Sequence, residues 1–388
     1  MIKVAHIITK LELGGAQQNT LYTVGHLNRN CYEPLLISGE GEILDPEARN
    51  MPGVKVFFID SLVREVHPWK DFLTLIKLYK ILKKEKVGIV HTHSSKAGII
   101  GRWAAYFAGV PVIIHTFHGF GFNDYQSFTV NRLFVWAERL TGKITDELIT
   151  VSEENIKKGL ANKIGSKNKY LVIHSGIKIS QFLTPPEDRV IINKKQELGI
   201  NFAAPVVGMI ACFKPQKAPG DFIKMAAIVK EAVPETRFIL VGDGELRSGI
   251  EDLIAKHDLR KEIILTGWRK DIKELLYVFD VFVLTSLWEG LPRVVLEALL
   301  CQKPVVATDV DGTREVVREA ENGYLIVPGD VGNMAEKVIL LLNNKEKARQ
   351  MGAKGRELVN SSFDIDIMVK DIEKIYEKYH TRQENKCR

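Results

Sequence analysis

Short apolar segments alternate with amphipathic segments along the whole of this 388-residue chain. Uninterrupted apolar runs, such as VGIV at 87–90 and PVII at 111–114, are typical of strands that are buried on both faces of a parallel sheet. The amphipathic segments between them have the length of helices. Alternation of this kind favours crossover connections, and it therefore predicts an α/β fold with doubly wound parallel sheets.

The alternation occurs in two successive halves, and the chain is long enough for two domains. The first half predicts strands near 2–8, 33–38, 54–59, 87–92, 110–116, 146–151 and 169–174, and helices near 16–29, 70–86, 96–108, 128–141 and 153–164. The second half contains the strand-like segments PVVGMIAC, TRFILVG, EIILTG, VFVLTS, KPVVAT and GYLIVP. We therefore expect two Rossmann-like domains that face each other across a cleft.

A polar, proline-containing segment separates the two halves. Pro185 and Pro186 cannot continue a helix, and the surrounding sequence LTPPEDRVIINKKQELGI has the composition of a linker. The predicted domains are therefore residues 1–185 and 186–388. Helices predicted near 345–360 and 365–380 are followed by no strand, so the last helix packs either on the second domain or back on the first.

The chain shows no feature that would direct it out of the cytoplasm. Its first residues, MIKVAHIITKLELGG, predict a strand and a turn rather than a signal peptide, and no run of about 18 uncharged apolar residues predicts a transmembrane helix. The cysteines are scattered, which fits reduced thiols better than disulfides or a zinc site. They are Cys31, Cys212, Cys301 and Cys387. A cytoplasmic location is predicted, either in solution or at the inner face of the membrane.

Positive charge is concentrated in the first half of the chain. Residues 1–185 carry 23 Lys and Arg against 16 Asp and Glu, whereas the remainder carries 31 against 32. This asymmetry indicates a phosphorylated partner or an anionic membrane surface, unless it serves solubility alone. No basic stripe alternates with aromatic residues, so no nucleic-acid partner is predicted. The helix at 71–86 has apolar and basic faces, and it either rests on anionic lipid or packs as an ordinary core helix.

Loops that follow strands carry the first candidate site residues, because doubly wound sheets bind ligands beyond the carboxyl ends of their strands. Gly14 and Gly15 open the first helix, where backbone N–H groups attract phosphate and glycine permits close approach. The G-x-G-x-x-G dinucleotide fingerprint is absent, so a simple helix-starting turn is the alternative. Lys214 and Lys217 follow the first strand of the second half, and they are either cations for a leaving diphosphate or ordinary solvated lysines.

The segment SLWEGLPRVVLEALL at 286–300 is the strongest single feature of the sequence. Glu289 lies on a loop after a strand, and Glu297 lies about two turns into the helix that follows. A carboxylate accepts hydrogen bonds from two neighbouring hydroxyl groups, so the pair indicates a hydroxyl-rich ligand. Because Glu297 interrupts an apolar stretch, a structural ion pair is its alternative role.

Histidines and aspartates near strand ends raise the question of a metal site. His91, His93, His115 and His118 lie on or after strands, but no carboxylate joins them. Asp309-Val310-Asp311 precedes a glycine and predicts a turn that starts a helix. No metal is therefore predicted. An imidazole at the position of His118 is instead suited to donating a hydrogen bond to a ligand oxygen.

Taken together, these loops resemble the retaining family 4 glycosyltransferases of the GT-B fold, in particular enzymes of bacterial capsule, lipopolysaccharide and other surface-polysaccharide biosynthesis. The matching segments span almost the whole chain in the order of the family. They are LGGAQ (13–17), HGF (118–120), KPQKAP (214–219), VGDGELR (241–247), LTGWRKD (265–271) and EGLPRVVLEA (289–298), the last being the family's Glu-x7-Glu motif.

The resemblance implies a role for each matching residue. His118, Lys217 and Glu289 are the expected catalytic residues: His118 near the C6 oxygen of the transferred sugar, Lys217 on the diphosphate and Glu289 on the sugar. Glu297 is expected on the ribose hydroxyls, and Trp268 and Arg269 near the base. The expected donor-binding set is Gly14, Gly15, Lys214, Gly242, Trp268, Arg269, Gly290, Leu291 and Glu297.

The resemblance also implies a reaction. A nucleotide-sugar donor, UDP-linked in preference to GDP-linked, would bind the second domain. A glycan or polyprenyl-diphosphate-linked acceptor would bind the first, with possible peripheral contact of the enzyme with the anionic inner membrane. The transfer would retain anomeric configuration and need neither a divalent metal nor a cofactor. The alternatives are a nucleotide-sugar 2-epimerase and a non-catalytic, membrane-associated assembly subunit.

Four positions, in three places along the chain, depart from the family pattern. Cys212 stands where many members carry an arginine that contacts the diphosphate, and Lys214 is the residue available to replace it. Ser175 and Lys178 occupy positions that are usually Asn and Asp, and Ala218 stands where glycine is more usual.

Overall fold

The computed structural model describes residues 1–386, with side chains as far as Tyr379; Cys387, one of the predicted thiols, lies outside the described residues. Residues 1–386 form two compact units. One consists of Met1–Gly176 together with the chain from Ile365 onward, and the other of Ile177–Asp364. No helix within the described residues is long and apolar enough to cross a membrane.

The first unit is built on a parallel sheet of seven strands. In chain order these are β1 (Ile2–Ile7), β2 (Tyr32–Ser38), β3 (Lys55–Phe58), β4 (Ile89–His93), β5 (Val112–Phe117), β6 (Glu147–Thr150) and β7 (Tyr170–Val172). Their order in the sheet is β3-β2-β1-β4-β5-β6-β7. The direction of winding therefore reverses between β1 and β4, which is where ligands bind in sheets of this kind.

Helices connect these strands. They are α1 (Gly15–His26), α2 (Asp45–Arg49), α3 (Pro68–Glu85), α4 (Ser95–Ala108), α5 (Phe128–Lys143) and α6 (Glu153–Ala161). All five helices predicted for this half are present, while the short α2 was not predicted. Leu78 and Leu82 of α3 pack in the core against Val90 of β4, so the apolar face of this helix packs as a core helix does.

The second unit has a parallel sheet of six strands in the order β10-β9-β8-β11-β12-β13. The strands are β8 (Val206–Ile210), β9 (Arg237–Val241), β10 (Ile263–Gly267), β11 (Val281–Leu284), β12 (Val305–Thr308) and β13 (Gly323–Ile326). Its helices are α7 (Ile179–Leu183), α8 (Asp188–Glu197), α9 (Pro219–Ala232), α10 (Arg247–Lys256), α11 (Ile272–Val278), α12 (Arg293–Leu300), α13 (Thr313–Val316), α14 (Val331–Asn343) and α15 (Lys345–Leu358). The winding reverses between β8 and β11.

The segment that resembles a linker in sequence is ordered within the second unit. The predicted domain boundary falls at 185/186, whereas the compact units divide at 176/177. Ile177 donates a backbone hydrogen bond to Phe363 of the same unit (2.9 Å), and α7 packs against α12. Beyond the two prolines the chain forms α8, which packs against α11.

The last helix, α16 (Ile365–Lys386), belongs to the first unit. Its apolar side chains pack against Val4, Ile89 and Ile114, which come from the three central strands β1, β4 and β5. They are Ile365, Met368, Val369, Ile372, Ile375 and Tyr376. The helix thus covers one face of the first sheet around the point where the winding reverses.

Candidate functional site

The loops after β8 and β11 meet at the switch point of the second sheet, and they bring Lys217 and Glu289 into contact. The Lys217 ammonium forms an ion pair with Oε1 of Glu289. The Ser286 hydroxyl donates to the same oxygen at 2.6 Å. Glu289 is only 6% exposed, so its carboxylate is held in place by a cation and a hydroxyl with little access to water.

Backbone contacts lock these two loops together. The Thr285 hydroxyl donates to the Lys217 carbonyl at 2.8 Å. The Leu287 amide donates to the Gln216 carbonyl at 2.7 Å, and the Gln216 side-chain amide donates to the Trp288 carbonyl at 2.8 Å. Because both loops are fixed at several points, Lys217 and Glu289 are held in position before any ligand arrives.

Glu297 lies farther along the same motif, within α12. Gly290 and Leu291 lie between the two glutamates, just before this helix, and Leu291 is buried. The guanidinium of Arg293 lies 4.0 Å from Glu297 Oε1, which is the outer limit of an ion pair. Burial raises the pKa of the Glu297 carboxyl, and the nearby Arg293 opposes that rise.

The acidic pair after β12 forms a turn, as the sequence predicts. Gly312 precedes α13, and Asp311 accepts a hydrogen bond from the Glu289 backbone amide (3.0 Å) through its Oδ2 atom. Asp309 is paired with Arg314. The two carboxylates therefore have separate protein partners, and Asp311 helps to fix the Glu289 loop.

Gly242 supports the same edge of the sheet from the end of β9. Its φ of +131° is a conformation that favours glycine. A Cβ atom there would lie 2.0 Å from the Ala211 carbonyl oxygen, so any side chain would push away the chain that leads to Lys214. Lys214 itself precedes the short 3₁₀ turn Pro215–Lys217.

Trp268 and Arg269 follow β10, and their surroundings differ. Arg269 forms ion pairs with Asp271 and with Glu197 of α8, and these carboxylates raise the pKa of its guanidinium. Its charge is thereby used to join α8 to the β10–α11 loop. Trp268 is 41% exposed and presents an aromatic surface.

In the first unit, Gly14 and Gly15 lie where the sequence places them, at the start of α1. Gly14 is the N-cap residue, with extended backbone and no side chain to cap the helix. The amides of the first helical turn therefore point beyond the carboxyl end of β1, in the arrangement that attracts phosphate.

His118, just after β5, forms part of a larger histidine cluster. Its Nε2 lies 3.1 Å from Nδ1 of His93, and Nε2 of His93 lies 3.0 Å from Nδ1 of His6. His6, His91 and His93 are buried, and each offers a ring nitrogen within 4.8 Å of the others. Burial lowers the pKa of His6 to about 3 and that of His91 and His93 well below the usual range.

Hydrogen bonds explain why these rings lie so close. His91 contacts the Tyr376 hydroxyl through Nδ1 (2.6 Å) and the Thr116 hydroxyl through Nε2 (2.7 Å). The Tyr376 hydroxyl also lies 3.2 Å from Nε2 of His6. Sequence reasoning missed His6 and Tyr376, since a lone histidine in an apolar strand and a tyrosine in the last helix carry no local signal.

His115, by contrast, lies apart from this cluster. It is bonded to the Thr92 hydroxyl through Nδ1 (2.8 Å), and burial lowers its pKa well below the usual range.

A small cavity of about 20 Å³ opens beside this cluster. It is lined by His93, Thr116 and His118 at the strand ends, and by Asn19 and Thr20 of α1. Ser175, one of the positions that depart from the family pattern, also lines it. The cavity has room for about one water molecule, so it can hold a small polar group of a ligand.

Three neighbouring helices of the first unit expose large apolar side chains. Helix α4 packs against both α3 and α5, so the three helices adjoin in one region of the first unit, with Trp69 and Phe72 near the start of α3 and Tyr106 and Phe107 near the end of α4. We call this region the aromatic surface, and it consists of Trp69 and Phe72 on α3, Tyr106 and Phe107 on α4, and Phe128, Leu133 and Trp136 on α5. Exposed aromatic residues in such number typically mark a protein or membrane contact.

Comparisons with known proteins match this chain over both units. Residues 13–181 match the family model described as Glycosyltransferase Family 4, and residues 190–358 match the model described as Glycosyl transferases group 1. The UDP-Gal:alpha-D-GlcNAc-diphosphoundecaprenol alpha-1,3-galactosyltransferase of Escherichia coli is 34% identical over 381 residues, which cover 97% of this chain and 96% of the relative.

Two further comparisons also extend over most of the chain. The N,N'-diacetylbacillosaminyl-diphospho-undecaprenol alpha-1,3-N-acetylgalactosaminyltransferase of Campylobacter jejuni is 29% identical over 336 residues, 84% of this chain and 86% of the relative. The crystal structure of Anabaena HepE in complex with UDP-glucose superimposes with a TM-score of 0.83 at 22% identity, covering 97% of this chain and all of HepE. The chain therefore belongs to glycosyltransferase family 4 and has the two-domain GT-B architecture of that family.

Proposed function

We propose that this protein transfers a sugar from a UDP-sugar to a polyprenyl-diphosphate-linked acceptor in bacterial surface-polysaccharide biosynthesis. The observation that carries the proposal is the contact between Lys217 and Glu289 at the switch point of the second sheet, in a chain 34% identical to a galactosyltransferase over 97% of its length. That relative is named for a UDP-galactose donor and a diphosphoundecaprenol-linked acceptor.

The second unit binds the donor. Lys217 and Lys214 hold the diphosphate, because ammonium groups beside helix-starting loops neutralise phosphate. Glu289 accepts hydrogen bonds from the sugar hydroxyls, and Glu297 accepts them from the ribose hydroxyls. Trp268 offers its ring to the base. Arg269 keeps the adjacent loop in place through its ion pairs.

The chemistry follows from these positions. The acceptor hydroxyl attacks the anomeric carbon from the face that the diphosphate leaves, so configuration is retained, and the departing diphosphate takes the proton. Lys217 stabilises the charge that develops on the leaving group, which is the largest contribution that the site makes to the rate. No divalent metal is needed, since the cationic side chains and helix N-termini supply the positive field.

The first unit binds the acceptor. His118 and the glycine-led start of α1 lie beyond the carboxyl ends of its strands, and the relatives from E. coli and C. jejuni are both named for diphospho-undecaprenol-linked substrates. The aromatic surface lies on this unit and carries basic residues as well, such as Arg132, which lies over the Phe128 ring. A polyprenyl chain stays in the bilayer, so an enzyme that uses it benefits from peripheral contact with anionic lipid.

The alternatives raised by the sequence receive less support. The relatives named above are transferases, which does not favour a nucleotide-sugar 2-epimerase. The intact pairing of Lys217 with Glu289 does not favour a decayed site in an assembly subunit. Cys212, the departure that raised the second alternative, leaves Lys214 and Lys217 in position.

The test is transfer by the purified full-length protein to synthetic GlcNAc-diphosphate-lipid from UDP-galactose, UDP-glucose, UDP-GlcNAc and GDP-mannose, with and without EDTA. We expect an α-linked product from one UDP-sugar, unaffected by EDTA and identified by the anomeric coupling in its NMR spectrum. A β-linked product would contradict retention, and loss of activity in EDTA would contradict the metal-free mechanism. Absence of transfer from every UDP-sugar would refute the proposal.

The role of Lys217 is tested in the same assay. Lys217→Ala should lower kcat by about 100-fold, because one electrostatic contact to the leaving group is removed. Lys224→Ala is the matched control, since Lys224 lies on α9 just after this loop but is paired with Asp221 and exposed. Equal activity of the two variants would remove Lys217 from the mechanism.

A further inference from the structure

A continuous chain of hydrogen bonds runs through the carboxyl ends of the central strands in the first unit. It passes from His118 to His93 (3.1 Å), to His6 (3.0 Å), to the Tyr376 hydroxyl (3.2 Å), to His91 (2.6 Å) and to Thr116 (2.7 Å). Parallel register explains how the rings meet, because His6 of β1 is the partner of His91 of β4, and His93 is the partner of Thr116 of β5.

The members of this chain constrain one another. Because burial lowers the pKa of His6, His91 and His93, these rings are neutral near pH 7, and each has one N–H donor and one acceptor nitrogen. Each ring uses both nitrogens within the chain. The bonds at each ring therefore run in one direction, so the choice at His118 fixes the choice at His93 and at His6. The Tyr376 hydroxyl has a single proton and can donate to only one of His6 and His91.

The chain begins and ends at one place. Thr116 at one end and His118 at the other both line the 20 Å³ cavity beside α1, together with His93. Its middle reaches the buried face of α16, where Tyr376 is fully buried. A purely structural core at this position would be served by apolar side chains without the cost of burying four polar rings. The arrangement therefore points to a role at the cavity.

We propose that His93 is a positioning residue for His118, and that Tyr376 and His6 set which atom of His118 donates and which accepts. Hydrogen bonds from the buried chain fix the ring orientation and the proton position of His118, as outer-sphere partners do for functional histidines elsewhere. This inference rests on the proposed function, in which His118 lies at the substrate-binding edge of the first unit. It gives α16, through Tyr376, a role in positioning His118, although the two residues are far apart in the sequence.

Two substitutions of His93 separate its two contacts. The amide of asparagine occupies the place of Nδ1 and keeps the bond to His118, whereas the amide of glutamine occupies the place of Nε2 and keeps the bond to His6. We expect His93→Gln to lower kcat by about tenfold or more with little change in donor KM, since tenfold corresponds to one well-placed hydrogen bond. His93→Asn should lower kcat by a smaller factor, because its amide still orients the His118 ring although it no longer contacts His6. Equal losses in the two variants would overturn the proposal.

A second readout does not depend on activity. In protein labelled with ¹⁵N-histidine, long-range ¹⁵N–¹H correlation reports the proton position of each ring, and His118→Ala identifies the signals of His118. Tyr376→Phe removes one hydroxyl two rings away, and it should shift the ring nitrogens of His118 as well as those of His6 and His91. If His118 is unmoved while His6 and His91 shift, the chain does not act on His118 and the inference fails, even in a fully active transferase. If His118 shifts in a protein without transferase activity, the inference stands and the proposed function fails.

Discussion

Glu289 and Glu297 are the same residue type in one motif, yet their surroundings prepare them for different tasks. Glu289 accepts hydrogen bonds from the Lys217 ammonium and the Ser286 hydroxyl, which lie on loops that are fixed by further contacts. Glu297 lies in α12, where Arg293 is the other charged residue, 4.0 Å away, and burial raises the pKa of its carboxyl. A carboxyl with a raised pKa takes up a proton at a higher pH than an ordinary glutamate does, and it then loses one of its acceptor sites.

The pH dependence of donor binding should report this difference. As pH falls toward the raised pKa of Glu297, the ionised fraction decreases, so the donor KM should rise while kcat changes less. Glu297→Gln should show a higher KM that no longer varies with pH over the same range. Steady-state kinetics between pH 5 and 8 would check this, and an unchanged pH profile in the variant would show that another group titrates.

Buried histidines make the stability of the first unit sensitive to acid. The folded-state pKa of His6, His91, His93 and His115 lies below the ordinary value of 6.5, so the unfolded chain binds more protons. Their contribution to stability is complete above pH 6.5 and is lost as pH falls below it, by roughly 1 kcal/mol per pH unit for each histidine.

We therefore expect the free energy of unfolding to decline steeply from pH 6.5 to 5. Urea denaturation at several pH values measures the slope, which gives the number of protons taken up on unfolding. His6→Gln should reduce the slope by about one proton, because the ring whose pKa burial lowers is then absent. A slope equal to that of the native protein would contradict the burial argument.

At the scale of elements, the sequence predicts the central strands well because they are uninterrupted apolar runs that alternate with amphipathic segments. All seven strands and five helices expected in the first half are found within a few residues of their predicted bounds. The linker prediction missed α8, because prolines and charged residues are as common at the start of an exposed helix as they are in a loop. Its ion pairs to the β10–α11 loop, through Arg269 and Glu197, are contacts between distant segments that no local pattern contains.

Among the candidate site residues, too, those with a local sequence motif could be predicted, and those placed by distant contacts could not. The sequence makes Lys217 and Glu289 candidates because each follows a strand in a motif, and the sheet brings the ends of those strands together. His6 and Tyr376 were missed because their role depends on register and on the packing of α16. The role of Arg269 as an ion-pair partner was missed for a similar reason.

Helix α16 should be essential to the first unit, since its apolar face fills part of that core. Ile372 is buried against the sheet, whereas Lys370 on the same helix is exposed. Ile372→Asp should destabilise the unit by about 3 kcal/mol or more, because it buries a charge and removes packing. Lys370→Asp introduces the same charge in solvent and should cost little. Thermal unfolding followed by circular dichroism compares the two, and similar melting temperatures would show that α16 is not part of the core.

At the scale of the whole molecule, charge and apolar exposure coincide. The first 185 residues carry a net charge of +7, with 23 Lys and Arg against 16 Asp and Glu, and the aromatic surface lies on the first unit, to which residues 1–176 of this segment belong. Apolar side chains that insert at the lipid boundary and basic side chains that attract anionic headgroups are the two contributions that peripheral binding needs.

Flotation with vesicles tests this coincidence. The protein should float with phosphatidylglycerol vesicles at low salt and less with phosphatidylcholine vesicles or at high salt. The double substitution Leu133→Ser and Trp136→Ser should reduce the bound fraction severalfold. Phe202→Ser is the control, because Phe202 is equally exposed but belongs to the second unit. Binding that is unaffected by the double substitution would place the lipid contact elsewhere.

The return of the chain to the first unit at Ile365 has a consequence for how the protein is made. During synthesis, residues 1–176 leave the ribosomal exit tunnel long before α16 does. The face of the first sheet against which α16 packs therefore stays exposed while the second unit is translated. The second unit is a continuous segment and can complete its own folding in that interval. The first unit completes its core after the second, and the histidine chain closes only when α16 leaves the exit tunnel.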